Sequence, residues 1–223
     1  MIFAEWKPID EILGRVRGQR RVLLVGCATC MAECAVGGEE EVETLAALLR
    51  MALAKEGHGG KILTKTLERQ CEWEFVEELA GTAAEVDAIL SLGCGIGVQV
   101  LAERFSEIAV YPAVNTSALT IREEAGVWAS RCVACGDCVL GDTFGVCPVA
   151  RCAKSLMNGP CGGTREDGTC ELDEGNDCAW KIIVERAVAR GEVDSLREVR
   201  KARDWSKSRH GGPKRVVRED QRP

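Results

Sequence analysis

Thirteen cysteines stand in a chain of 223 residues that has only two histidines, His58 and His210. In a reducing cytoplasm, clustered cysteines hold metal or do redox work rather than form disulfides. An odd count also cannot pair completely within one chain. Eight of them, Cys132, Cys135, Cys138, Cys147, Cys152, Cys161, Cys170 and Cys178, fall within 47 residues, too many to be small buried hydrophobes. With so few histidines, any metal sites are expected to be all-thiolate, and soft thiolates select zinc, copper(I) or iron–sulfur clusters. The tightest run, Cys132-Val-Ala-Cys135-Gly-Asp-Cys138, offers three thiolates from one loop, as a cubane cluster requires. The Cys147-Pro148 pair matches the ferredoxin pattern only in part, because it follows after a longer gap. Eight ligands suffice for two [4Fe–4S] clusters. One cluster plus a zinc site, or zinc alone, stays open on the same spacing.

The other five, Cys27, Cys30, Cys34, Cys71 and Cys94, are scattered along a segment that reads as alternating strands and helices. Arg21–Gly26, Lys61–Leu67, Ala88–Leu92 and Ile108–Pro112 read as strands. Helices are expected over Ile9–Val16, Glu39–Ala54, about Glu72–Thr82 and Gly97–Phe105. Alternation of this kind implies a parallel sheet covered on both faces, hence a small Rossmann-like α/β domain over residues 20–118. Cys27, Cys71 and Cys94 each follow the C-terminal end of a strand, the edge at which open α/β sheets bind ligands. Four of the five thiols are expected to hold a third cluster, with Cys30 or Cys34 left spare. A merely reactive or structural cysteine set is the plainer alternative.

From Trp128 the chain becomes rich in cysteine, glycine and short loops. A helix over Cys178–Arg190 is expected behind an acid at its cap position, with Ala179, Ile182, Ile183, Val184 and Val188 as its apolar stripe. Three regions are therefore expected: an α/β domain over 1–125, a cysteine-rich, loop-dominated cluster module with a C-terminal helix over 126–195, and a basic arm over 196–223. Residues 1–196 carry a net charge of −12 and residues 197–223 one of +6. So acidic a body argues against nucleic acid. The arm reads as a solvated tail or as a strap for an acidic partner, with Trp205 as its anchor. Trp128 and Trp180 are expected to shield the C-terminal sites. Apolar runs are too short for a membrane span, and acids stand where a signal peptide would be basic, so a soluble cytoplasmic protein without membrane insertion is expected. Gly93-Cys-Gly95-Ile-Gly97 lacks the third glycine of a dinucleotide fingerprint in either register. No P-loop, zinc-protease or Ser-His-Asp pattern is present, and no catalytic residue is identified.

Several blocks resemble the iron–sulfur (MetV-type) small subunit of methylenetetrahydrofolate reductase. They are Leu24-Val-Gly-Cys27-Ala-Thr-Cys30 with Cys34-x-x-Gly37-Gly38, Arg69-Gln-Cys71-Glu, Gly93-Cys94-Gly-Ile-Gly97-Val-Gln99 and Tyr111-Pro-Ala-Val-Asn115-Thr. In the cysteine-rich part, Cys132–Cys138, Cys147-Pro148-x-x-Arg151-Cys152, Asn158-Gly-Pro-Cys161-Gly-Gly163 and Asp177-Cys178-Ala-Trp180 are similar to that family's C-terminal module. The resemblance runs to about Trp205. It implies two or three [4Fe–4S] clusters, one zinc site being a further option. It also implies a partner: a flavin-containing (β/α)8 catalytic subunit, carrying FMN or FAD, that reduces methylenetetrahydrofolate. The small subunit would stabilise this partner and pass it electrons from an electron-donor protein, in the acetyl-CoA pathway or related one-carbon metabolism. The alternatives are a zinc-binding structural scaffold without electron transfer, and a stand-alone enzyme with substrate at an open cluster position.

Overall fold

The computed structural model describes residues 1–208, 212, 216–218 and 220. The chain falls into two units, Met1–Ala118 and Leu119–Pro223. Most of the basic arm beyond residue 208, including His210, lies outside the described residues. Among the described residues no helix is long and apolar enough to cross a membrane.

The first unit runs β1 (Ile2–Trp6), α1 (Ile9–Val16), β2 (Arg21–Cys27), α2 (Cys30–Glu33), α3 (Glu39–Lys55), β3 (Lys61–Leu67), α4 (Trp73–Glu77), α5 (Ala80–Ala83), β4 (Ala88–Ser91), α6 (Gly95–Arg104) and β5 (Ala109–Pro112). It closes with the start of β6 (Val114–Glu124), and a separate sheet has the order β1-β6-β7. Four parallel strands form the main sheet in the order β3-β2-β4-β5. Register is continuous: Val22 faces Ile62 on one side and Ala88 on the other, and Val25 faces Lys65 and Ser91. Alternation along β2 divides its side chains between two cores. Val22 and Leu24 pack with Ile12, Leu45 and Leu49 from α1 and α3. Leu23 and Val25 pack with Val76, Leu79, Leu101 and Phe105 from the helices of the opposite face. The mixed α/β fold with a four-stranded parallel sheet expected from the alternating pattern is therefore present.

Local chemistry explains the element ends. Glu41 reaches back to accept the Gly38 N–H at 2.9 Å, satisfying a free donor at the start of α3. The single helix expected over residues 72–82 is instead the pair α4 and α5. The N–H groups of Glu78 and Leu79 bond back three residues, to Phe75 and Val76, at 3.2 and 3.1 Å, which tightens the turn and breaks the α-helical ladder.

The second unit continues β6 into β7 (Val127–Cys132), an antiparallel pair, followed by α7 (Pro148–Arg151), the short hairpin β8 (Thr169–Cys170) and β9 (Asp173–Asp177), and α8 (Ala179–Arg190). The expected boundary at residue 125 falls in the β6–β7 turn. Phe144, Val146, Trp180, Ile183 and Ala187 form the core under α8. That helix stops at Gly191, whose φ of 71° is left-handed. Its cap residue is Cys178 rather than the expected Asp177, which ends β9.

Gly37 sits close against the end of β2 and against Leu92, the residue after β4. Its carbonyl accepts the Cys27 N–H at 2.7 Å. A Cβ there would lie 2.8 Å from Met31 Cβ and collide with the Leu92 carbonyl. Gly37→Ala is expected to destabilise the first unit by about 1–3 kcal/mol through overpacking, read as a lower urea midpoint. An unchanged midpoint would show that the turn moves aside freely.

Candidate metal centres

Parallel pairing brings three cysteines of the first unit to one edge. Cys27 is the last residue of β2, Cys94 precedes the first turn of α6 beyond β4, and Cys71 lies four residues past β3. Since β2 lies between β3 and β4, the chain reverses its winding direction beside β2, and the crevice at the strand ends is the usual ligand position of such sheets. The Cys71 thiol is pushed above its ordinary pKa, first by desolvation and then by the neighbouring Cys27 and, more weakly, Cys94 thiols. Cys27 and Cys94 thus each act on the Cys71 thiol. Cys30 opens α2 and packs, with Cys94, against the apolar cluster that contains Cys27.

Cys34 is different. Its thiol donates to the Ile2 carbonyl at 3.3 Å, the residue is 5% exposed, and burial pushes its pKa up. The structure therefore gives Cys34 a backbone acceptor on β1.

A buried amide fixes the crevice. Gln70, 1% exposed, donates through Nε2 to the Val25 carbonyl at 2.9 Å and accepts the Ser91 hydroxyl at 2.6 Å on Oε1. Ser91 Oγ in turn accepts the Gly93 N–H at 3.0 Å. This chain ties the Cys71 loop, the end of β2 and the Cys94 loop together. A Cβ on Gly93 would lie 2.6 Å from Gln70 Cδ, and one on Gly97 2.7 Å from Gln70 Cβ. Those glycines of the Gly-Cys-Gly-Ile-Gly block thus admit a neighbouring side chain, which accounts for a glycine spacing that fits no nucleotide fingerprint.

In the second unit Cys132 ends β7, and its sulfur accepts the Ala134 N–H at 3.3 Å. Ala134 and Gly136 have φ values of 50° and 77°, so the Cys132–Cys138 loop coils tightly. The Cys135 sulfur accepts Arg203 Nη1 at 2.9 Å, and Cys138 is exposed. Cys147 and Cys152 bracket the single turn of α7. Cys161 accepts the Gly163 N–H at 3.4 Å and Lys154 Nζ at 3.7 Å. Lys154 also pairs with Glu171, which with Cys161 raises its pKa.

The later cysteines are drawn together by short-range contacts. Thr164 bridges to Cys170 through the backbone, and its hydroxyl donates to the Cys178 sulfur at 3.0 Å. Cys152 packs against the apolar cluster containing Cys178 and shares a cavity of about 580 Å³ with Cys170, Trp128, Arg131 and Asp177. Burial works against the Cys178 thiolate. The Thr164 hydroxyl, the N–H groups of Lys181 and Trp180 and the Lys181 charge outweigh it and hold its pKa below the ordinary value, as expected at a helix N-terminus. Trp180 is 4% exposed and donates to the Leu156 carbonyl at 2.9 Å; a Cβ on Gly159 would lie 2.5 Å from its indole.

Among the described residues, no three His, Cys, Asp or Glu side chains form a group that could hold a metal ion. A cubane asks for something different: one thiolate on each of four irons, with the sulfurs around a cage and N–H donors directed at them. An all-cysteine donor set with N–H donors on Cys132, Cys135 and Cys161 fits that chemistry. Sequence reasoning missed Gln70, Thr164 and Arg203. Only the glycines at 93 and 97 signalled the first, through the close approach they permit.

Residues 111–206 match the family model described as methylene-tetrahydrofolate reductase C terminal. This segment is similar to that family. It holds all eight cysteines of the second unit and none of the five of the first. Among curated proteins, none matches the chain.

Gln70→Ala is expected to leave the Val25 carbonyl and Ser91 hydroxyl without their buried partner and to lower stability by about 1–3 kcal/mol. In the same variant Cys71 and Cys94 should react faster with a thiol reagent. Wild-type labelling rates would show that the amide does not hold the two loops.

Proposed function

We propose that this chain is an electron-transfer iron–sulfur subunit of a methylenetetrahydrofolate reductase complex. It relays electrons to or from the flavin of a separate catalytic subunit and stabilises that subunit. The observation that carries this reading is the coincidence of the reductase-related segment with the eight-cysteine module. The cysteine-lined crevice of the first unit, outside that segment, supplies a further donor set of the same chemistry.

When bound, [4Fe–4S] clusters supply one-electron transfer, whereas a flavin collects two electrons for the carbon chemistry. The protein's own residues do the rest. In the first unit Cys27, Cys30, Cys71 and Cys94 are the proposed ligands, with Cys34 the spare thiol retained on the Ile2 carbonyl. Gln70 orients two of their loops. In the second unit the eight cysteines are the proposed ligands of two clusters. Backbone N–H groups of Ala134 and Gly163, together with Arg203 and Lys154, donate to their sulfurs and so favour the anionic, ligating form. The Trp180 ring lies against Gly159 in the loop leading to Cys161.

Anaerobic purification is expected to give a brown protein with about twelve irons and as many sulfides per chain, absorbing near 400 nm and bleached by dithionite. Cys34→Ser should keep the full complement, whereas Cys94→Ser should lose about four irons. Cys135→Ser should lose iron together with cooperative unfolding of residues 128–190, because ligation contributes folding free energy. Stoichiometric zinc without iron would make the chain a structural scaffold. Full iron content in the Cys94 variant would remove the crevice from the ligand set. Turnover of methylenetetrahydrofolate by the isolated chain would overturn the subunit role.

A further inference from the structure

The residues that follow α8 fold back over the Cys132–Cys138 loop. Asn158 grips the backbone of Arg200 with both ends of its amide, accepting from Arg200 N at 2.8 Å and donating to Arg200 O at 3.0 Å. Arg200 also pairs with Asp142 at 2.8 Å. Further on, Lys207 lies so close to the loop that a Cβ on Gly136 would stand 2.8 Å from its carbonyl carbon. Between these two fastenings sits Arg203. Its Nη1 donates to Cys135 Sγ at 2.9 Å and to the Asp137 carbonyl at 2.5 Å, and its guanidinium lies 5.6 Å from the Trp205 ring centre. Its Nε and Nη2 are buried and have no hydrogen-bond partner among the described residues.

A buried guanidinium with two unused donors is costly, and the group it already touches is a cysteine of the tightest cluster-type run in the chain. Asp137 meets Arg203 through its carbonyl oxygen. A negatively charged cage at Cys132, Cys135 and Cys138 would supply both the countercharge and the sulfur acceptors that this arginine lacks.

We propose that Arg203 is a positioning residue that sets the reduction potential of a cluster held by Cys132, Cys135 and Cys138. This rests on the iron–sulfur reading above. With a cluster bound, one electron from the donor protein, or from dithionite in the test below, would convert one ferric to one ferrous ion with no bond made or broken and increase the negative charge of the cage by one. The fixed positive charge and the N–H donors stabilise the reduced form more than the oxidised one, so the potential is raised. Arg203, near the start of the arm, thereby acquires an electrostatic task within the module itself.

The test is a dithionite titration of the complete chain, followed by electron paramagnetic resonance, with iron and sulfide counted in every sample. Arg203→Gln removes the charge. At the wild-type midpoint, the reduced-to-oxidised ratio of one cluster should fall about tenfold, equivalent to about 59 mV for one electron, while the other signals stay in place. Arg203→Lys keeps the charge but loses the planar fork, so its midpoint should lie between those of wild type and Arg203→Gln. It also decides the matter if the glutamine variant sheds iron. A purely structural arginine would change iron content or thermal stability without moving any midpoint. Intact iron with all midpoints at wild-type values in both variants overturns the role of Arg203 alone. A wild-type chain without iron overturns both this proposal and the iron–sulfur reading.

Discussion

Parallel pairing of β2 with both β3 and β4 is the constraint on which the first unit depends. Because all three strands point the same way, their ends must share an edge, and residues far apart in the chain arrive there together. Cys27, Cys71 and Cys94 need no contact of their own to become neighbours. The two apolar cores, one on each face of the sheet, hold the strands in register, and the alternation of Val22 to Val25 between those cores leaves no freedom to slip by one residue. Polar chemistry is confined to the edge, where only the Gln70–Ser91 chain lies buried, with its hydrogen bonds satisfied.

The second unit solves the same problem with less sheet. Its core is small, and five of its eight cysteines sit at the ends of short elements: the last residue of β7, both ends of α7, the end of β8 and the cap of α8. Such positions leave the backbone bending away from each sulfur, so that N–H groups from the following residues can turn toward it. The shared pattern across the two units is a thiol at the point where a regular element stops.

Strands were legible where burial is two-sided. Val22–Val25 and Ala88–Leu90 are continuous apolar runs bounded by glycine or polar residues, and the helices between them show their stripe. The β6–β7 pair was not legible, because Asn115, Thr116 and Ser117 are exposed on a strand that buries few side chains, so no alternation marks it. β1 was hidden likewise by its brevity. Cysteine spacing points to candidate ligands but not to how they are held. Gln70 looks like any polar residue beside a cysteine until the sheet places it between β2 and β4. Arg203 looks like one of several charges in a basic tail until the chain returns across Gly136. Cys34 could not be told from Cys30 by spacing, since the distinction depends on a carbonyl of β1.

The amide bracing at Gln70 uses no sulfur atom. A crevice built this way is shaped before anything inorganic arrives, so filling it demands little ordering of the chain. Around Cys132–Cys178, by contrast, loops outnumber regular elements, and conformational entropy weighs against assembly until something draws the thiols inward. Under the proposed iron–sulfur reading, chelation should consequently divide the molecule, sparing the α/β half and loosening the other.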